Sequence, residues 1–543
     1  MKLTLKGNQI SKISEYAFAG LEDSLSDLDL AENKLKLFPM APLRRLESLA
    51  SLRIAWNEIS EIPDDGYSLL SSLFALDLSS NNFEKLSEDC FRPCPILHSL
   101  SLYYNSIETI HKDAFVSLKN LESIDLSHNK IVFLDVATFK GNERLRSIEL
   151  SHNHIHYIGG VFARLPELRE LYLAENNILE IPGDAFIGSI SLDVVDLQQN
   201  AIRRIDGKGL SSLTQLAQLH LSNNYIEKVP REFLEHCENL SSLSLDGNKI
   251  RELQPGTFVK LHQLRELRLQ DNHITEVKRG VFSPLPSLLE LHLQNNAIRD
   301  METGALRALH SLLHVNLQGN RLTVLGDVFQ LSSSESSSAG IGVASFASMK
   351  NLRELDLSHN RIETMSGFAM PNLSRLISVD LSHNHLNALP ANFFAHSSML
   401  RRVDLSENKF RQIPAVALSG QNLPSLAWLN LTRNPLNRIH DLPSEAMYPI
   451  LQEVHISGTN LSIVTSQDFE AFPALLHLFL GQNCILRVSP GAFKNLPNLF
   501  KVRQFENTGT SYHEIGRKVG KKNLQDTHVH ILRNPEISNY KIH

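Results

Sequence analysis

The sequence predicts a repeat solenoid of the α/β type, a stack of short strand-bearing turns with no globular domain in the array. Three observations predict it. An asparagine recurs in phase at Asn8, Asn33, Asn57, Asn81, Asn105, Asn129, Asn153, Asn176, Asn200 and Asn224, then at Asn248, Asn272, Asn296, Asn320, Asn360, Asn384, Asn408 and Asn434. Thr459 substitutes once and Asn483 closes the series, giving 20 positions with 14 of 19 intervals equal to 24 residues. Each asparagine sits in the pattern L-x-x-L-x-L-x-x-N-x-I, whose L-x-L alternates with the period of a strand. Ten turns also place phenylalanine ten residues after the consensus position, at Phe18, Phe91, Phe115, Phe139, Phe186, Phe258, Phe282, Phe394, Phe469 and Phe493.

Each element follows in turn. The L-x-L leucines face one side of a short strand and leave the intervening residues to the other side. The asparagine ends the strand, where a buried amide satisfies backbone groups of its own turn and of its neighbours. The phenylalanines, with Leu43, Leu210, Leu306 and Leu418 in the same place, are expected to stack as a spine behind the sheet. One turn cannot bury this face alone, whereas stacked turns share a continuous core. At about 4.8 Å per strand, 20 strands extend on the order of 95 Å.

On these motifs, from Leu3 to about Leu499, the chain is identified as a member of the leucine-rich repeat superfamily. The resemblance implies a right-handed solenoid bent into a horseshoe arc, with a parallel sheet on the concave face. The array is expected over residues 1–498, with a serine-rich insertion near 326–347 that contains Ser332 to Ser338 and reads as a surface loop. Residues 499–543 form a divergent basic tail, expected to be solvated and disordered: residues 501–543 hold eight Lys/Arg against four Asp/Glu. Both ends lack the cysteine-rich caps usual in extracellular members, so the expectation is a fragment whose signal peptide and anchor lie elsewhere.

Composition narrows the function. The chain has 543 residues, 42% hydrophobic and 21% charged, with a net charge of −6, which fits a folded protein and gives no general attraction for nucleic acid. Four cysteines exclude a disulfide scaffold. No catalytic signature, phosphate loop or dinucleotide fingerprint is present, so neither an enzyme nor a cofactor is expected. His152, His154 and His156 alternate around a consensus asparagine, a spacing that suits a metal less well than a pH-sensitive surface. Cys90 and Cys94 flank Phe91 and leave two readings open, a local disulfide or two buried thiols. Four sequons mark Asn239, Asn372, Asn430 and Asn460 as glycosylation candidates, Asn430 pointing out from a strand.

The residue that closes each L-x-L strand forms a polar row on the concave face. Its candidate partner-binding stretch is Asp125, Glu149, Tyr172, Asp196, His220, Arg268 and His292, where acidic and cationic rungs adjoin. Such a surface suits a protein partner more than a small apolar ligand. A competing reading is that aspartate merely fills the position beside L-x-L.

Long runs of 24-residue repeats without internal caps resemble the insect chaoptin-like cell-surface adhesion proteins. That resemblance implies an extracellular protein that binds, homophilically or heterophilically, a protein on an apposed cell, and touches the membrane only through an anchor absent from this chain. The alternative is a ligand-sensing ectodomain of the Toll-like receptor type.

Overall fold

The computed structural model describes residues 1–63, 69–302, 304–325, 346, 349–366, 373–439 and 447–503. Most of the serine-rich insertion, the sequon at Asn372 and the tail from residue 504 onward lie outside the described residues. The chain divides into two compact units, Met1–Asn272 and His273–His543.

In the first unit every turn contributes one three-residue strand. The ladder starts with Lys2–Thr4 paired parallel to Asp27–Asp29 and ends with Ser242–Ser244 paired to Glu266–Arg268. Strand Ser123–Asp125 is typical: Ile124 is buried while both neighbours are half-buried. The leucines flanking this strand, Leu121 and Leu126, are buried as well. In the second unit the same parallel ladder runs from Glu290–His292 to Lys501–Arg503. Its last strand, Lys501–Arg503, carries the array five residues into the segment expected to be tail from residue 499. It forms because His477–Phe479 offers an unpaired parallel edge, and backbone pairing needs no leucine signature.

The asparagines explain why the phase is so strict. Asn129 donates through Nδ2 to Leu102 O of the preceding turn and Leu126 O of its own, both at 3.0 Å. Its Oδ1 accepts Ile107 N at 3.0 Å. One buried amide thus closes three backbone groups that water cannot reach. In the second unit Asn384 repeats the arrangement with Leu357 O, Leu381 O and Ile362 N. Thr459, which lacks the amide, breaks the rung: Leu436 N turns to Asn434 O, and Thr459 gives both its N–H and hydroxyl to Asn483 Oδ1.

The insertion is bypassed by the ladder. His314–Asn316 pairs directly with Glu354–Asp356, and Asn360 Nδ2 reaches Leu317 O at 2.9 Å. The spine is present: Phe91, Phe115, Phe139 and Phe162 stack with centroid spacings of 5.8, 5.8 and 6.1 Å. Phe162 escaped the ten-residue rule because its turn is 23 residues long and places the ring one position early. Short two-residue strands, such as Lys85–Leu86 with Thr109–Ile110, add a second ladder on some turns.

Candidate functional site

The face opposite the core carries two rows, and only one of them was legible from L-x-L. The first is the strand-closing row. Its acids have a structural task. Asp77, Asp125 and Asp196 each accept the backbone N–H two residues on, at 3.0, 2.9 and 3.0 Å, and Glu149 accepts Ser151 N at 2.9 Å. In the second unit Asp356, Asp380 and Asp404 do the same for Ser358, Ser382 and Ser406. This is an Asx-type turn that ends the strand, which is why acids recur beside L-x-L. Asparagine serves equally at Asn316 and Asn430.

The register brings Asp125, Glu149, Tyr172, Asp196 and His220 side by side on successive strands, with Ser244 and then Arg268 following. Burial pushes the Glu149 carboxyl up, and Asp125 and Asp196 push the same way against the Ser151 bonds. Burial also raises Asp196, with His220 partly offsetting it. Tyr172 is raised by burial and by Glu170, Glu149 and Asp196. Asp196 is half-buried and holds the strand exit, so it is not the freely solvated charge the sequence suggested. Arg268 is exposed and bonds Glu266 at 2.6 Å. His292 belongs to the second unit, where it faces Glu290 at 3.4 Å.

The second row is the residue before each consensus asparagine. It holds a left-handed backbone at every turn: Trp56 and Tyr104 have φ of 55°, His128 53° and His152 57°. Glycine fills this slot at Gly7, Gly247, Gly319 and Gly458, as the backbone favours. Those four glycines are the signal in the sequence that could have found the row. A bulky L-residue here costs roughly 1–2 kcal/mol, and since every turn adopts it the conformation belongs to the repeat itself.

In the first unit the stretch of this row from Trp56 to His152 carries rings at every position but Ser80. Trp56 is 60% exposed, Tyr104 55% and the adjacent Tyr103 38%. Trp56 and Tyr104 lie 6.5 Å apart with planes 20° from parallel. Tyr103 meets His128 edge-on at 5.1 Å, and His128 stacks on His152 at 3.9 Å. His152 Nδ1 lies 2.9 Å from Glu175. Burial, and then His152, hold the His128 imidazole below its ordinary pKa. The second unit repeats the motif: His359 stacks on His383 at 3.9 Å, and His383 Nδ1 lies 3.1 Å from Glu407. The alternating histidines are therefore turned to different tasks, with His154 and His156 exposed beyond the stack.

The remaining candidates fall elsewhere. Cys90 and Cys94 are both free thiols, pushed up to about 12 by burial. Cys94 points into the core, and Cys90 Sγ is directed toward Ala114 O instead of its neighbour. Of the sequon asparagines, Asn239 and Asn460 are exposed. Asn430 is half-buried, and its Nδ2 donates to Asp404 Oδ2 at 3.0 Å. A concavity of about 280 Å³, lined by Arg231, Glu232, Leu234, Thr257, Val259 and Lys260, lies on the turns following the strands. It is smaller than usual small-molecule sites and gathers no catalytic set. Among the described residues no helix is long and apolar enough to cross a membrane.

The Leucine rich repeat family profile matches residues 1–59, 71–131, 119–178, 166–226, 214–274, 262–322, 334–386, 374–436 and 449–503. No curated protein sequence matches the chain. Among solved structures the chain is similar to Drosophila Toll in its complex with Spatzle, at 20% identity and TM-score 0.60, covering 92% of this chain and 80% of that one. It is similar to YopM from Yersinia enterocolitica, at 20% identity and TM-score 0.58, covering 87% and 85%. The ectodomain of the Arabidopsis thaliana receptor kinase GASSHO1/SCHENGEN3, in complex with Casparian strip integrity factor 2, is 21% identical with TM-score 0.52, covering 93% of this chain and 63% of that one. At these identities the likeness establishes the fold alone.

Proposed function

From a chain that belongs to the leucine-rich repeat family, a binding scaffold with no catalytic family indicated, we infer an extracellular recognition protein whose open sheet face engages a protein partner and serves cell adhesion in the manner of chaoptin-like proteins. The observation that carries this reading is the set of side chains on that face which do no structural work. Trp56, Tyr103 and Tyr104 are exposed although each could have been small and polar. Aromatic residues and arginine are the side chains enriched in protein interfaces. Repetition adds to this, since a face with one recognition residue per turn collects many weak contacts, and contacts multiplied between two membranes give avidity. Toll is held with Spatzle and the plant receptor with its integrity factor, which favours a protein ligand and an extracellular setting.

The test is display of the chain, through a supplied signal peptide and anchor, on cells that do not otherwise adhere. Clustering is the expected result. Arg268→Glu should weaken it with folding intact, because Arg268 is exposed and its ion pair with Glu266 lies at the surface. Clustering is expected to involve the rungs from Asp125 to Arg268, with His292 probed separately in the second unit. The likeness to Toll favours a second reading, a ligand-sensing ectodomain; cells that stay dispersed yet bind a soluble protein ligand would select it. Dispersed cells with no soluble ligand bound would end both readings.

A further inference from the structure

Exposed rings on this face meet two fates, and the difference identifies what the first unit lacks. In the second unit Trp428 is covered by the chain itself: the Arg402 guanidinium stands 3.7 Å over its ring, and Nε1 donates to Glu453 at 3.1 Å. Arg203 likewise covers Tyr225, the neighbour of the consensus Asn224. Among the described residues no cation of this chain stands over Trp56, Tyr103 or Tyr104. These three are held outward on a strained or adjoining backbone, in a row where glycine would be easier.

The ground beneath them is negative. Asp77, Asp125 and Glu149 are half-buried and Glu170 and Glu175 exposed on this and the following turns, which also carry the exposed Arg53 and Arg169 and an Arg146 committed to Glu122 and Glu167. No lysine or arginine pairs with any of the five among the described residues. Each of Asp77, Asp125 and Glu149 spends one oxygen on the strand exit and keeps the other. Between Trp56 and Tyr104 in the row lies Ser80, with φ of 51°, and its hydroxyl is covered without any hydrogen-bond partner. Two nearly parallel rings, with carboxylates beside them that pair with no lysine or arginine among the described residues, define a chemistry: a flat cation with several donors.

We propose that the aromatic row of the first unit, Trp56 with Tyr103 and Tyr104, is a docking surface for an arginine-bearing, net basic segment of a protein partner, whose guanidinium lies on the rings while Asp77 and Asp125 compensate its charge. The inference rests on the recognition function above and names the partner's chemistry. Arginine fits better than lysine because its planar group stacks on aromatic faces and sheds water more readily.

The experiment uses the full chain carrying Trp428→Phe, which leaves Trp56 as the only tryptophan of the two. Its emission is followed during titration with three synthetic decapeptides of alternating Arg-Ser, Lys-Ser and Glu-Ser. The Arg-Ser peptide should shift the Trp56 emission and bind at least about threefold tighter than Lys-Ser, with Glu-Ser inert. Binding by surface resonance should fall about fivefold in Trp56→Gly, a variant whose backbone slot accepts glycine. It should fall about tenfold in the double variant Asp77→Asn, Asp125→Asn, which keeps the strand-exit bonds as Asn316 and Asn430 do. Equal binding of Arg-Ser and Lys-Ser, or unmoved Trp56 emission, overturns the proposal. So does cell clustering that persists undiminished in Trp56→Gly, an outcome that leaves the recognition function standing. If the wild-type chain neither clusters cells nor binds a soluble ligand, the recognition function fails while the peptide titration still judges this surface.

Discussion

Glu149 shows how one side chain is pulled between building the turn and facing a partner. Its Oε1 ends the strand by accepting Ser151 N, while burial, with Asp125 and Asp196 on nearby rungs, raises its pKa above the ordinary 4.5. A folded-state pKa above the unfolded one favours the native state below the unfolded value, and that contribution is lost as pH rises through the folded value. At pH 7 the ionised side chain is therefore a liability that glutamine would remove while still accepting Ser151 N. Glu149→Gln should raise Tm at pH 7, and the advantage over wild type should shrink as pH falls toward about 4.5 and be absent below it. His128 has the opposite sign, since its depressed pKa contributes stability that is lost in acid, but it is present in both proteins and cancels. Thermal melts of the pair across pH check this; an advantage that grows in acid would refute it. The same scale explains what the sequence hid. A left-handed φ at Trp56, Tyr104 or His128 leaves no trace in residue type, because the consensus treats that position as variable. Only its glycines, at Gly7, Gly247, Gly319 and Gly458, betray the backbone.

A single turn is held by its amide and by its ring. Phe139 lies between Phe115 and Phe162 and is 1% exposed, so Phe139→Ala removes contacts on both sides and should cost about 3–5 kcal/mol. Asn129→Ala leaves Ile107 N, Leu102 O and Leu126 O with one fewer partner each, which should cost about 2–5 kcal/mol. Urea midpoints read both, and a loss below about 1 kcal/mol in either would show that neighbouring turns relax to close the gap. At this scale the sequence was most informative. Strand positions, the asparagine rungs and most of the spine follow from periodicity, because every turn must repeat the same contacts to stack. Legibility failed where contact and spacing part company. Phe162 packs one position early in a short turn, and the strand Lys501–Arg503 forms on backbone pairing without a leucine pattern to announce it. The acids were visible as a row, but their bond to the strand exit was not, so half of their apparent recognition role proved to be architecture.

Over the whole chain, sequons convert surface geometry into a test of compartment. Asn239 donates one exposed bond to Thr214 O and Asn460 is exposed, whereas Asn430 lies half-buried with its amide committed to Asp404. Expressed behind a signal peptide, the protein should carry glycans at Asn239 and Asn460 in preference to Asn430, read as a mass loss on endoglycosidase treatment and located by peptide mapping. Glycan on Asn430 alone, or on none of the three, would contradict this ordering. Function at this scale was legible only as a class, because the partner's chemistry is written in orientation and exposure, which L-x-L spacing does not encode. The bypassed insertion carries one more consequence. Asn316 neighbours Asp356 and Asn360 reaches Leu317 O as if the 40 residues from Asn320 to Asn360 were a single turn. Loop closure grows only slowly more costly with length. Added length between Leu325 and Met349 therefore leaves the flanking strands in register, so a reporter domain, an epitope or newly acquired sequence should be accepted there while the array on either side keeps count.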